Sequence, residues 1–290
     1  MTSSPAASLG RLPQAPAPAP ALVWGALAVG VGLLAALAAP LAPELLRDWM
    51  QNEDYSHGVL IPLVVAYLLW QRPGEWRPAR VQASWLGPAL TLLGVALRLL
   101  GEVAVEQFTQ RVSVLVVAAG LVASLWGRPG LRAWIYPLLY AGLMIPLPGV
   151  LYNTLSFPLR QLATAVSADA LALAGIPVFR DGNVIHLARA SLEVVDACSG
   201  IRSLLSLLAV SGALAYGMLE RWPRRLLLLL ATVPVAFLAN ILRLVTTGVL
   251  AERYGQQVAD GFLHTLSGMG VFLVGTLAIL ALGRLLCARG

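Results

Sequence analysis

The sequence predicts an all-α membrane protein: a polytopic bundle of about eight transmembrane helices, with a small extracytoplasmic insertion made of an amphipathic helix and a β-hairpin. Three observations predict it. Hydrophobic residues fill 58% of the 290 positions and only 12% are charged, with a mean hydropathy of +0.78. A soluble domain cannot hide that much apolar surface, so lipid must be the solvent. The apolar residues also come in runs of roughly membrane-spanning length, and the charges sort by side.

The first twenty residues are rich in Pro and Ala, with Arg11 their one charge, and read as a disordered tail. Residues 21–290 read as a single integral membrane domain. Its apolar runs are 21–39, 57–71, 85–100, 112–127, 133–150, 201–219, 226–250 and 267–286. The first is too long for a signal-peptide core and has no convincing cleavage site, so it reads as a helix. Pro62, Pro88, Pro137, Pro146 and Pro234 are tolerable in membrane helices whose neighbours satisfy the freed carbonyls.

With the N-terminus inside, Arg11, Arg72, Arg77, Arg80, Arg128, Arg132, Arg221, Arg224, Arg225, Arg284 and Arg289 all fall inside. The inside acids are Glu75 and Glu220; the other twelve acids fall outside. Basic residues in short loops set orientation. The net charge of +6 therefore reads as topology rather than as a nucleic-acid surface.

The longest outside stretch is 151–199. Leu155, Leu159, Leu162, Val166, Ala170 and Leu173 recur at helical spacing, with Gln161, Ser167 and Asp169 off that stripe, and Gly175 supplies a stop. This predicts a helix lying in the membrane surface. Asp181-Gly182 between two β-prone runs predicts a hairpin, and residues 191–195 a third short strand.

Cys198 follows, in Val195-Asp196-Ala197-Cys198-Ser199-Gly200-Ile201-Arg202. A thiol reacts as its thiolate, and a helix N-terminus favours that anion. Ser199 is placed to cap the helix, and Gly200 lets a substrate approach the backbone. The alternative is a buried structural cysteine. Cys287, near Arg284 and Arg289, reads as an inert thiol. Arg243 lies inside an apolar run, where an arginine must face the bundle interior or a wet cavity. Asn240 and Thr247 share its face. The guanidinium suits a thiolate or an oxyanion; the alternative is an arginine snorkelling to the headgroups. His264 stands at the outer entry of the last run and suits proton transfer, or a backbone bond in the interface. His57, His186, His264 and Cys198 all fall outside. His57 is a candidate for orienting substrate or for a second catalytic group, or is structural. Arg202, one turn after Cys198, rivals Arg243 as the anion partner.

The sequence has no glycine-rich phosphate loop after a strand, no paired-histidine metal helix and no Cys-x-x-Cys. No cofactor and no metal are expected.

Tyr55-Ser56-His57-Gly58 with Ile61-Pro62 and Tyr67-Leu68-Leu69-Trp70 resembles the exosortase/archaeosortase family. So do Gly175-Ile176-Pro177-Val178, Gly182-Asn183-Val184-Ile185, Ala197-Cys198-Ser199-Gly200-Ile201-Arg202-Ser203, Asn240-Ile241-Leu242-Arg243 and Phe262-Leu263-His264-Thr265. The motifs span roughly residues 54–270, in the family's order. The resemblance implies a sortase-like cysteine peptidase or transpeptidase with Cys198, Arg243 and His264 as its catalytic set. His57, Asn240, Arg202, Ser199 and Gly200 would support them. The implied partners are exported proteins ending in a short Pro-containing motif such as PEP, a membrane helix and a basic tail. An acceptor nucleophile on lipid or polysaccharide is a further implied partner, and the lipid bilayer is the setting. The implied location is the bacterial inner membrane, with the site facing the periplasm. Two other classes stand beside this reading: a non-catalytic transporter or assembly factor for exported polysaccharide, and a membrane acyltransferase using a lipid donor.

Overall fold

The computed structural model describes residues 20–71, 84–194, 200–256 and 262–288. In chain order the elements are α1 (Pro20–Ala38), α2 (Ala42–Gln51), a 3-10 turn (Glu53–Val59), α3 (Ile61–Gln71), α4 (Leu86–Val103), α5 (Gln107–Gly142) and α6 (Gly149–Leu173). Strands β1 (Val178–Asp181), β2 (Val184–Leu187) and β3 (Ser191–Glu193) follow, then α7 (Ile201–Met218), α8 (Trp222–Tyr254) and α9 (Phe262–Ala288). The fold is an all-α membrane bundle with one small sheet.

Among the described residues, five helices are long and apolar enough to cross a membrane: α4, α5, α7, α8 and 268–288 of α9. A sixth is reached if 27–38 of α1 and α2, bent by 57°, count as one span. Of the runs expected to span, the one at 57–71 begins with a 3-10 turn and continues into α3, whose 11 residues reach the edge of the described segment. The runs expected at 112–127 and 133–150 share α5, whose 36 residues bend at Gly127 (φ 63°, ψ −156°). Before that bend α5 packs on α4. After it, Tyr136 and Tyr140 donate to the carbonyls of Gly212 and Ala209 on α7 at 2.6 and 2.9 Å.

Helices α4 and α5 approach closely because Gly87, Gly94 and Gly101 recur every seven residues along α4. A Cβ there would meet Ser124, Val117 and Gln110 at 2.2, 2.5 and 2.7 Å. Small residues at such a seam are how helices associate in lipid, where hydrophobicity alone gives no drive. Acids assigned to the outer side gather at this hairpin's end. Glu44 accepts from Gln107 Nε2 at 2.8 Å, and Asp48 pairs with Arg111 at 2.7 Å.

The insertion has the elements its sequence predicts. Helix α6 ends in a Schellman motif: Ile176 N–H bonds Leu171 O at 3.1 Å, and Gly175 N–H bonds Ala172 O at 2.9 Å. The three strands are antiparallel in the order β1-β2-β3. Gly182 (φ +58°) sits in the two-residue turn between β1 and β2. The leucine stripe of α6 is its outward face. Leu155, Leu162, Val166 and Leu173 are exposed, while Ser156, Ala163, Thr164, Ser167, Ala168 and Leu171 are buried. The small residues pack, and the leucines are left for lipid.

Candidate active site

Helix α8 supplies the first side chain. Asn240, Arg243 and Thr247 are spaced three and four apart, so they share one face. All three are buried, Arg243 at 8% exposure. Its guanidinium faces helix α9. Its Cζ lies 3.7 Å, and its Nη1 and Nη2 3.9 Å, from where a Cβ on Gly268 would sit. His264 stands one helical turn before Gly268, in the first turn of α9. Its side chain lies outside the described atoms.

Asn240 braces the entry to α7. Gly200 holds the N-cap position of that helix with φ +81°. A Cβ on Gly200 would come within 3.1 to 3.2 Å of the Asn240 carboxamide. Glycine is thus required by the left-handed backbone and by the close approach. Gly200 rather than Ser199 occupies the cap. Cys198 and Ser199 lie outside the described residues, and so does the expected one-turn relation between Cys198 and Arg202.

A cavity of about 950 Å³ gathers much of the rest. His57, Arg202, Ser203 and Arg243 line it, with Gly268 beside them and an apolar wall that includes Ile61, Val64, Val210, Ala213 and Phe272. It follows α7 from Arg202 to Leu214, about 18 Å of helix rise. The cavity therefore joins polar groups at the helix ends to a long apolar lining.

His57 sits in the 3-10 turn ahead of α3. Its Nε2 is 3.3 Å from the Leu143 carbonyl oxygen, which can only accept, so that nitrogen carries the proton in the bond. Burial pushes the imidazole below its ordinary pKa, opposed in part by the bond to Leu143. His186 lies elsewhere, on the exposed sheet, with Nδ1 3.0 Å from Ser191 Oγ.

Arg202 and Arg243 both border the cavity, but Arg202 is engaged by acids. Its Nε donates to Asp54 Oδ1 at 2.6 Å and its Nη1 to Glu53 Oε2 at 2.5 Å. Asp54 Oδ2 also accepts the Tyr152 hydroxyl at 2.9 Å. Sequence reading missed Glu53, Asp54 and Tyr152. Asp54 stood three residues before His57 and its position was readable; nothing in the sequence marked Tyr152 as its partner, 98 positions away.

The model of the transmembrane exosortase family matches residues 49–281, which takes in the 3-10 turn, the cavity helices and the Gly200 turn. No curated protein and no solved structure matches the chain. A match over so much of a multi-span bundle leaves one assignment: the chain belongs to the transmembrane exosortase family.

Proposed function

We propose that this membrane protein is a cysteine peptidase or transpeptidase that cuts C-terminal sorting signals from exported proteins at the outer face of the inner membrane. The observation that carries the reading is the buried Arg243 guanidinium, set against Gly268 one turn from the position of His264 and bordering a cavity with a long apolar lining. Family membership supports it. A guanidinium held in a shielded site is a strong stabiliser of a developing oxyanion. The apolar lining suits a substrate that presents a membrane helix.

In this mechanism the Cys198 thiolate attacks the scissile carbonyl carbon. A C–S bond forms and the carbonyl electron pair moves to oxygen, where Arg243 donates hydrogen bonds. Collapse expels the amine, which takes a proton from the His264 imidazolium and leaves with the membrane helix. A thioester remains on Cys198. The now neutral His264 accepts a proton from water or from an acceptor nucleophile as that group attacks the thioester, and the cysteine departs as thiolate. The nucleophile decides between hydrolysis and transfer.

Co-expression with an exported protein ending in a Pro-containing motif, an apolar helix and a basic tail tests this. Cys198→Ala should leave that protein at full length, and Cys287→Ala should process it normally. Equal processing by both variants would end the nucleophile assignment.

A further inference from the structure

One carboxylate ties three pieces of chain together at the cavity mouth. Asp54 belongs to the 3-10 turn, Tyr152 to the first turn of α6 and Arg202 to the first turn of α7. The Asp54 side chain is 15% exposed and that of Arg202 33%. The pair is partly shielded from water, so removing one partner leaves the other poorly compensated. Arg202 and Arg243 line the same cavity. Two guanidiniums thus border the space in which the proposed reaction develops negative charge.

We propose that Asp54 is a positioning residue: with Glu53 it holds Arg202 against the 3-10 turn and leaves the reacting oxygen to Arg243. This assignment rests on the cysteine-peptidase reading. The physical argument is one of differential stabilisation. A guanidinium released into the cavity would pair with the resting thiolate more tightly than with the transition state, in which that charge has moved from sulfur to oxygen. Stabilising the thiolate of the enzyme–substrate complex more than the transition state raises the barrier to attack and lowers kcat. The damage from losing Asp54 should therefore fall on kcat rather than on KM. Tyr152 meets the same carboxylate without sharing its charge, so removing its hydroxyl separates a charge role from a scaffold role.

The test uses the full chain in lipid nanodiscs and a fluorescent peptide carrying a Pro-containing motif, an apolar helix and a basic tail. Asp54→Asn is expected to lower kcat by about tenfold or more with KM little changed. Asp54→Glu should recover most of the rate. The double variant Asp54→Asn with Arg202→Gln should be faster than Asp54→Asn alone, because the stray cation is gone. Tyr152→Phe should stay within about threefold of the parent. The assignment is overturned if the double variant is no faster than the single one, if Tyr152→Phe is as damaging as Asp54→Asn, or if KM rather than kcat changes. Should Asp54→Asn fail to fold, Glu53→Gln is expected to give a smaller loss confined to kcat, and no loss there would overturn the proposal equally. Cleavage that survives Cys198→Ala in the same assay removes the peptidase reading itself. Cysteine-dependent cleavage with no gain in the double variant removes only the role given to Asp54.

Discussion

The Arg243 guanidinium carbon lies 3.7 Å from the point where a Cβ on Gly268 would sit, so helix α9 closes over that charge with no side chain between. That spacing distinguishes two substitutions. A methyl group at 3.7 Å makes an ordinary van der Waals contact, whereas a branched chain has to displace the guanidinium. Gly268→Ala should keep cleavage within a few-fold of the parent. Gly268→Leu should cut it by about a hundredfold, the scale of losing one oxyanion donor, while the folded fraction on size exclusion stays the same.

Arg243→Lys is the sharper test of the same side chain. Lysine keeps the charge but replaces a planar fork of donors with a point charge. If the guanidinium holds a developing oxyanion, kcat should fall by about two orders of magnitude, or some 2.7 kcal/mol of barrier. Single-turnover cleavage of the nanodisc-bound enzyme measures this directly. A lysine variant turning over at the parental rate would leave Arg243 a structural role only.

The parts of this molecule legible in its sequence are those governed by local rules. The hairpin followed from Asp181-Gly182, the stop of α6 from Gly175 and the inward face of α8 from the spacing of Asn240, Arg243 and Thr247. What stayed hidden depends on long-range pairing. The Asp54 carboxylate meets Arg202 across 148 positions; Arg202 was readable as a candidate anion partner, but nothing marked Asp54 as the acid that engages it. The leucine stripe of α6 was legible as a membrane-facing one, but the face that packs on the bundle was not, because close packing selects the small residues Ala163, Ser167 and Ala168. The break at Gly127 was legible as the gap between the runs 112–127 and 133–150, and a positive φ at that glycine marks it in the structure.

Gly200 combines strain and contact. Placing alanine at φ +81° costs about 1 to 2 kcal/mol from the left-handed backbone alone. Its methyl group would also press on Asn240 at 3.1 to 3.2 Å. Gly200→Ala should therefore lower the thermal midpoint in detergent and slow cleavage. Adding Asn240→Ala removes the contacts to the carboxamide carbon and nitrogen, while the Cβ contact at 3.2 Å and the backbone strain remain. The two substitutions should then be less than additive in stability, the signature of residues in contact. Strict additivity would mean that the carboxamide does not press on the turn.

His57 should make stability fall on acidification. Burial holds its folded pKa below the ordinary value of 6.5. The unfolded chain therefore takes up a proton at a pH where the folded chain still resists it, and protonation drains the folded state. The sign is fixed: the contribution of the neutral ring is fully present above 6.5 and is lost as pH falls through the folded value. Thermal midpoints of the parent in detergent should drop between pH 7.5 and pH 5, about the window in which an ordinary histidine charges. His57→Gln keeps a hydrogen-bond donor that can reach the Leu143 carbonyl but cannot titrate, so its midpoint should drop less over the same range. Parallel pH profiles for parent and variant would place the acid sensitivity outside His57.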